Sequence, residues 1–277
     1  LKTGGSVLKI YAFTAHRPEF IDLQLKCFQK HLQEEFVFTI FNNSNLDCMR
    51  VNYNPINEAC KKSGVQVIDI QKDVDLIARC QSVEKSCPVF DTQGENIGNY
   101  PNSNCAGCYA ACYAWERVIS KETSPILLLH PDVFMVQPSK LTDYLKDYTM
   151  GFVSQSRPGL GGNYMHDVCV LADMSKVPEP SAINWWGGRI NGCPVDIGGQ
   201  TFHYFKKHPE IKFFGIRPEF VADDPALDFH PSEYEILRFV PDEKAIFLHY
   251  FRGSNWDLKS PGYHVQKEIW LRNILGV

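Results

Sequence analysis

The sequence predicts an α/β fold: a Rossmann-like, mostly parallel central sheet with helices on both faces. Three observations carry this. First, β-rich and helix-periodic segments alternate from Val7 to Ile70, the pattern of a parallel sheet with crossover helices. Second, Ile126-Leu127-Leu128-Leu129 is wholly apolar, as in a strand covered on both faces. Third, no linker, internal repeat or low-complexity segment interrupts the 277 residues, so they read as one domain.

The elements follow in order. Val7 to Thr14 (VLKIYAFT) reads as the first strand, and Phe20, Leu23, Leu25, Phe28 and Leu32 then recur at roughly helical spacing. Pro18 stands where a first helical turn tolerates proline. Phe36 to Phe41 is the second strand and ends in the polar cluster Asn42 to Asn45. A helix around Asn57 to Ser63, then Gly64 and the strand Val65 to Ile70, complete β-α-β-α-β. Asp91 to Asn104 reads as a loop and Cys105 to Ser120 as a helix, followed by the Ile126 to Leu129 strand. The second half reads as strands Gly151 to Ser154 and Val168 to Leu171, a loop at Trp185 to Gly188 and a helix from Ile197 to Lys207. Strands at Ile211 to Ile216 and Ala245 to Tyr250 end the reading.

Composition narrows the function classes. Net charge is −4 with no basic stripe, which argues against a nucleic-acid partner. No apolar run approaches the roughly 18 residues that span a bilayer, so no membrane partner is expected. Leu1 to Ser6 has no apolar core of the kind an export signal carries. The ten cysteines are therefore read as reduced thiols in a cytoplasmic protein. Cys105, Cys108 and Cys112 lie at i, i+3 and i+7, which reads either as zinc or redox chemistry or as small thiols stacked on a buried helix face. No matching second pair stands nearby.

The strongest constellation is Leu127 to Phe134, LLLHPDVF. It puts His130 and Asp132 just past a buried strand, where open α/β sheets bind their ligands. Side chains two apart on an extended chain share a side, so both can face one cation or diphosphate. An imidazole in the pair shifts preference from Mg²⁺ toward Mn²⁺. The same residues also read as an aspartate capping a turn and a packed core histidine. A late strand, Ala245 to Tyr250, carries His249 and runs into Phe251-Arg252-Gly253-Ser254-Asn255-Trp256. A guanidinium such as that of Arg252 suits bidentate phosphate binding and an ammonium such as that of Lys259 acts as a point charge, and a core histidine at His249 with a surface arginine stands beside that reading. Asp196, in Pro194-Val195-Asp196-Ile197-Gly198-Gly199, reads equally as a general base and as the N-cap of the helix that follows.

The His130-Pro131-Asp132 strand end resembles the DXD region of GT-A glycosyltransferases, with His130 at the first acidic position. The His249 segment resembles their C-terminal segment, where a histidine completes the metal shell. Ala12 to Pro18 resembles their first strand and loop. The resemblance implies a GT-A fold and the transfer of a sugar from a nucleotide-sugar donor, with a UDP-sugar expected, onto a glycan acceptor. It implies Mn²⁺ (or Mg²⁺) held by His130, Asp132 and His249. It implies donor contacts from Thr14, Ala15, Arg17, Asn43, Asn104, Arg252, Ser254 and Lys259, with Asn42 and Ser44 as further candidates for the base or ribose. Residues 1–135 or so would hold the donor and 136–277 the acceptor.

Similar Asp-x-Gly segments of the family lie beneath the acceptor. This makes Asp196 the expected base of an inverting transfer, with Asp167, Asp223 and Asp224 behind it. Trp185, Trp186, Tyr164 and Trp256 are candidates for stacking on sugar faces. In size the chain is similar to stand-alone transferases of large algal viruses, the xylosyl-transferring type above all, which implies UDP-xylose among the donors. Two competing readings remain open: a metal-dependent hydrolase or nucleotidyltransferase, and an inactive lectin-like module that binds a sugar nucleotide or glycan.

Overall fold

The structure is a computed structural model that describes residues 7–14, 17–44, 55–71, 73, 75–76, 103–190, 193–220, 234–250 and 261–277. Side chains of 103–106 and 261–264 lie outside the described set. The chain begins with strand β1 (Leu8–Thr14), helix α1 (Pro18–His31), β2 (Phe36–Asn42), α2 (Pro55–Ser63) and β3 (Gln66–Asp69). Pro18 opens α1, where its missing N–H costs nothing, and Glu19 and Lys30 complement the helix dipole at its two ends. α2 stops at Gly64, whose φ of +69° is the left-handed conformation that ends many helices.

Helix α3 (Ser103–Arg117) leads through a 3₁₀ turn into β4 (Pro125–Leu129) and the short β5 (Val133–Met135). β6 (Met150–Ser156) and the long β7 (Asn163–Asp173) come next, then the hairpin β8 (Gly188–Ile190) and β9 (Cys193–Val195). Helix α4 (Thr201–Lys207), β10 (Phe213–Phe220), β11 (Tyr234–Phe239), β12 (Lys244–Tyr250) and helix α5 (Pro261–Leu275) follow.

Among the described residues, ten strands form one sheet in the order β3-β2-β1-β4-β7-β6-β10-β11-β12-β5. β3, β2, β1 and β4 are mutually parallel, and β6, β10 and β12 run the same way. β7, β11 and β5 run against them. The sheet is therefore mostly parallel, and its reversed strands begin at the edge where the parallel strands end.

Alternation along each strand builds two cores. Leu8, Ile10 and Ala12 of β1 and Leu127 and Leu129 of β4 join a core with α1, α2 and α5. Tyr11, Phe13, Ile126 and Leu128 face the other core, with α3 and the Trp185–Trp186 segment. Helices thus cover both faces, and burying each large apolar side chain contributes roughly 1.5–3 kcal/mol.

Several expectations shift. The helix predicted from Ile197 begins at Thr201, after a turn. Ser103 and Asn104 belong to α3 rather than to a loop, and β4 is parallel to β1 but antiparallel to β7. β5, β11 and α5 had no counterpart in the sequence reading. The six cysteines with described side chains are free thiols, and Cys108 and Cys112 are buried within the second core. Among the described residues no helix is long and apolar enough to cross a membrane.

Candidate metal centre

The parallel strands deliver their C-terminal ends to one edge. β4 leaves that edge through the turn His130-Pro131-Asp132, and β5 pairs antiparallel with β12 so that Val133 lies opposite His249. The Asp132 carbonyl accepts the Tyr250 amide at 2.9 Å, which locks the turn to β12. From α1, the buried Gln24 Nε2 donates to the carbonyls of His130 and Val133, both at 2.9 Å. His130 and Asp132 thus meet across a braced turn rather than along the extended chain predicted for them.

Around Asp132 the expected trio assembles. Asp132 is fully buried, His249 is 3% exposed, and His130 is partly exposed. His249 Nε2 lies 3.5 Å from Asp132 Oδ1, and His130 Nδ1 lies 3.8 Å from the same oxygen. One ligand atom from each residue falls within 4.8 Å of the others. An octahedral ion with bonds of about 2.1 Å holds adjacent donors about 3 Å apart and opposite donors about 4 Å apart. The donor set fits a divalent ion with two imidazoles, one carboxylate and positions left for other oxygens.

A second layer surrounds the trio. Glu235 lies opposite His249 in the β11–β12 register, and its Oε2 is 3.0 Å from His249 Nδ1. Asp167 Oδ2 is 2.9 Å from His130 Nε2. His166 continues outward, with Nδ1 3.8 Å from Asp167 Oδ1 and Nε2 3.8 Å from Asp196 Oδ2. Carboxylates and imidazoles therefore alternate from Glu235 through His249, Asp132, His130, Asp167 and His166 to Asp196. Asp167 Oδ1 and His166 Nδ1 are buried without a hydrogen-bond partner among the described residues.

The charges decide one another's state. Burial pulls the His249 pKa down, but hydrogen bonds and charge from Asp132 and Glu235 prevail and raise it to about 9. His130 is likewise raised: burial opposes the shift, and the Asp167 and Asp132 charges outweigh it. Burial pushes Asp167 up, yet the His130 charge and hydrogen bond hold it below the usual carboxylate value. Asp196, with 39% of its side chain exposed, is raised by burial but held at about 2 by His166 and by the Ile197 amide.

The other expected residues divide. Thr14 ends β1 and Asn43 follows β2, joined by the Asn43 amide to the Thr14 carbonyl at 3.1 Å. Thr14 Oγ1 and Asn43 Oδ1 are buried without a hydrogen-bond partner among the described residues. Ala12 pairs with Leu129, so both lie at the edge that carries His130. Arg17 is 1% exposed, ion-paired with Glu19 and 4.1 Å from the centre of the Phe20 ring.

Asn42 braces this edge. Its amide donates to Asn57 and Asp69, and its oxygen accepts from the Ser44 amide and hydroxyl. Ala15, Arg252, Ser254, Lys259, Asp223, Asp224, Trp256 and the Asn104 side chain lie outside the described residues.

Two expectations are corrected here. Trp185, Trp186 and Tyr164 are at most 3% exposed: the tryptophans fill the second core, with Trp185 packed 5.4 Å from Trp115, and Tyr164 fills a smaller cluster with Leu160, Ile190, Val195 and Phe202, so none offers a face to a sugar. Asp196 is not a helix cap: α4 starts at Thr201, and the Asp196 Oδ1 instead accepts its neighbour Ile197 N–H at 2.8 Å. Gly198 lets this loop lie against β7, for at φ +83° a Cβ would sit 2.0 Å from the Met165 carbonyl oxygen.

Sequence reasoning missed Gln24, His166 and Glu235. The signal for Glu235 was its place opposite His249, which needs β11 to be recognised first.

No protein-family model matches the chain, and no curated protein matches it. Among solved structures it is similar to the galactosyltransferase LgtC in complex with donor and acceptor sugar analogs. The identity is 12% over 74% of this chain and 66% of that one, with a TM-score of 0.39. It is similar to the apo-form glycosyltransferase GlyE of Streptococcus pneumoniae TIGR4, at 13% identity over 76% and 45%, TM-score 0.37. It is also similar to the mannosyltransferase PcManGT from Pyrobaculum calidifontis in complex with GDP-Man and Mn²⁺, at 8% identity over 62% and 45%, TM-score 0.33. The chain spans between 45% and 66% of the length of these proteins. At such TM-scores the function rests on the site itself.

Proposed function

We propose that the chain is a metal-dependent GT-A glycosyltransferase that moves a sugar from a nucleotide-sugar donor to a glycan acceptor. The observation that carries this reading is the convergence of His130, Asp132 and His249 on one point at the ligand-binding edge of the sheet. Thr14 Oγ1 and Asn43 Oδ1, buried at the same edge, support a donor nucleotide beside that point. His130, Asp132 and His249 would hold a divalent ion, which would supply neutralising charge for a diphosphate leaving group. The donor-binding half is residues 1–135 and the acceptor-binding half 136–277, and His249 reaches back from the second to close the shell.

The finer reading is inverting transfer from a UDP-sugar, UDP-xylose included, with Mn²⁺ as the ion. Asp196 is its base: half-exposed and ionised, it takes the acceptor hydroxyl proton as that oxygen bonds to the anomeric carbon. The bond from that carbon to the diphosphate oxygen breaks at the same time. Nucleoside diphosphate release is to be measured across UDP-, GDP- and dTDP-sugars, with glycan acceptors and with Mn²⁺ or EDTA. Release that needs both acceptor and Mn²⁺ supports the proposal, and binding without release under all combinations sinks it.

The carboxylates around the trio give a metal-dependent hydrolase or nucleotidyltransferase some support. Asp167 and Glu235 are nonetheless engaged with histidines, which leaves one ion's worth of ligands among the described residues. Release that ignores the acceptor would favour that second reading.

A further inference from the structure

Each histidine of the trio has two ring nitrogens, and only one can face the ion. His249 turns Nδ1 to Glu235 at 3.0 Å and leaves Nε2 toward Asp132. His130 does the reverse, with Nε2 bonded to Asp167 at 2.9 Å and Nδ1 toward Asp132. Both inward nitrogens converge on the same oxygen, Asp132 Oδ1. Flipping either ring would break its outer hydrogen bond and aim a carbon at the centre.

We infer that Glu235 and Asp167 are positioning residues that select Nε2 of His249 and Nδ1 of His130 as the metal-facing nitrogens, an inference that rests on the metal-centre reading. The sheet makes both selectors rigid. Glu235 and His249 are direct cross-strand partners, so their side chains leave the same face. Asp167 reaches His130 because β7 runs antiparallel beside β4, with the His130 amide bonded to the Val168 carbonyl at 3.1 Å. Both carboxylates are largely buried, with side-chain exposures of 11% for Glu235 and 4% for Asp167. Little water competes for the imidazole N–H groups at that depth. An outer carboxylate on a ligating histidine fixes its tautomer and orientation, and loss of such a partner typically weakens metal binding 10–100-fold.

The test titrates the whole chain with Mn²⁺ alone, followed by electron paramagnetic resonance. Asp132→Ala should lose binding. Glu235→Ala and Asp167→Ala should each bind about 10–100-fold more weakly. Glu235→Gln and Asp167→Asn keep an oxygen that accepts the imidazole N–H, so they should recover most of that loss. Histidine ¹⁵N spectra of the Zn²⁺-loaded wild type should show coordination through Nε2 of His249 and Nδ1 of His130, a readout that a merely structural carboxylate would not set.

Coordination through the opposite nitrogens overturns the inference. So does wild-type affinity in both alanine variants when Asp132→Ala has lost binding, and the metal centre itself then survives. A wild type that binds no Mn²⁺ overturns both. Where an alanine variant fails to fold, the wild-type nitrogen assignment and the amide variants decide.

Discussion

The Gln24 side-chain amide donates to the His130 carbonyl at 2.9 Å, although 106 positions separate them. The same nitrogen reaches the Val133 carbonyl, so one buried residue of α1 brackets the turn that carries Asp132. Gln24→Leu keeps most of the volume and removes the donor. It should cost about 1–3 kcal/mol, because a buried carbonyl loses its partner. Mn²⁺ affinity should fall with it. Urea unfolding and a Mn²⁺ titration check this; unchanged values in both would show that the turn holds its shape unaided.

Asp132→Ala and His249→Ala should each reduce Mn²⁺-dependent turnover by at least ~10-fold, since a ligand lost costs no less than its outer partner. Exhaustive EDTA treatment should do the same to the wild type, and added Mn²⁺ should restore it. Circular dichroism should find both variants folded. Full turnover in EDTA would remove the metal from the mechanism.

Proton release should accompany metal binding. His249 is raised to about 9 in the metal-free protein. Its protonated form therefore contributes stability that is complete below its ordinary value of 6.5 and is lost as pH rises through about 9. A divalent ion needs the neutral imidazole. Near pH 7, Mn²⁺ must displace that proton, and its affinity should climb as pH rises toward about 9. Calorimetry in buffers of different ionisation enthalpy measures the release, and a buffer-independent enthalpy would contradict it.

Asp196→Asn should transfer sugar at least ~100-fold more slowly while still binding donor and Mn²⁺. It should lose only modest stability: Asn keeps an oxygen for the Ile197 amide and α4 begins beyond it, but the charge facing His166, screened by solvent, is given up. Near-wild-type turnover would pass the role of base to Asp167 or Asp223.

Gly198→Ala tests the loop that holds Asp196. A Cβ there meets the Met165 carbonyl oxygen at 2.0 Å on a backbone at φ +83°. The variant should lose more than about 1 kcal/mol, as alanine does where φ is positive. Thermal unfolding reads the loss; an unchanged midpoint would mean that the loop moves off β7 at no cost.

Local pattern was enough for the first half of the fold. Alternation in Leu8–Thr14 and Phe36–Asn42, helical spacing after Pro18 and Gly64 at a helix end are encoded within a few residues of where they act. The apolar run of β4 likewise announces a doubly covered strand, and the polar residues at its end mark the candidate site. Tertiary structure decided everything that depends on which strand lies beside which. Glu235 reaches His249 only across the β11–β12 pair, Asp167 reaches His130 only because β7 runs against β4, and Gln24 arrives from a helix packed beneath. It also turned Trp185 and Trp186 inward and moved the start of α4 past Asp196. The physical reason is range. Propensity and periodicity act over one turn or one strand, whereas the His130–Asp132–His249 trio and the carboxylates behind it are brought together by packing between segments far apart in the chain.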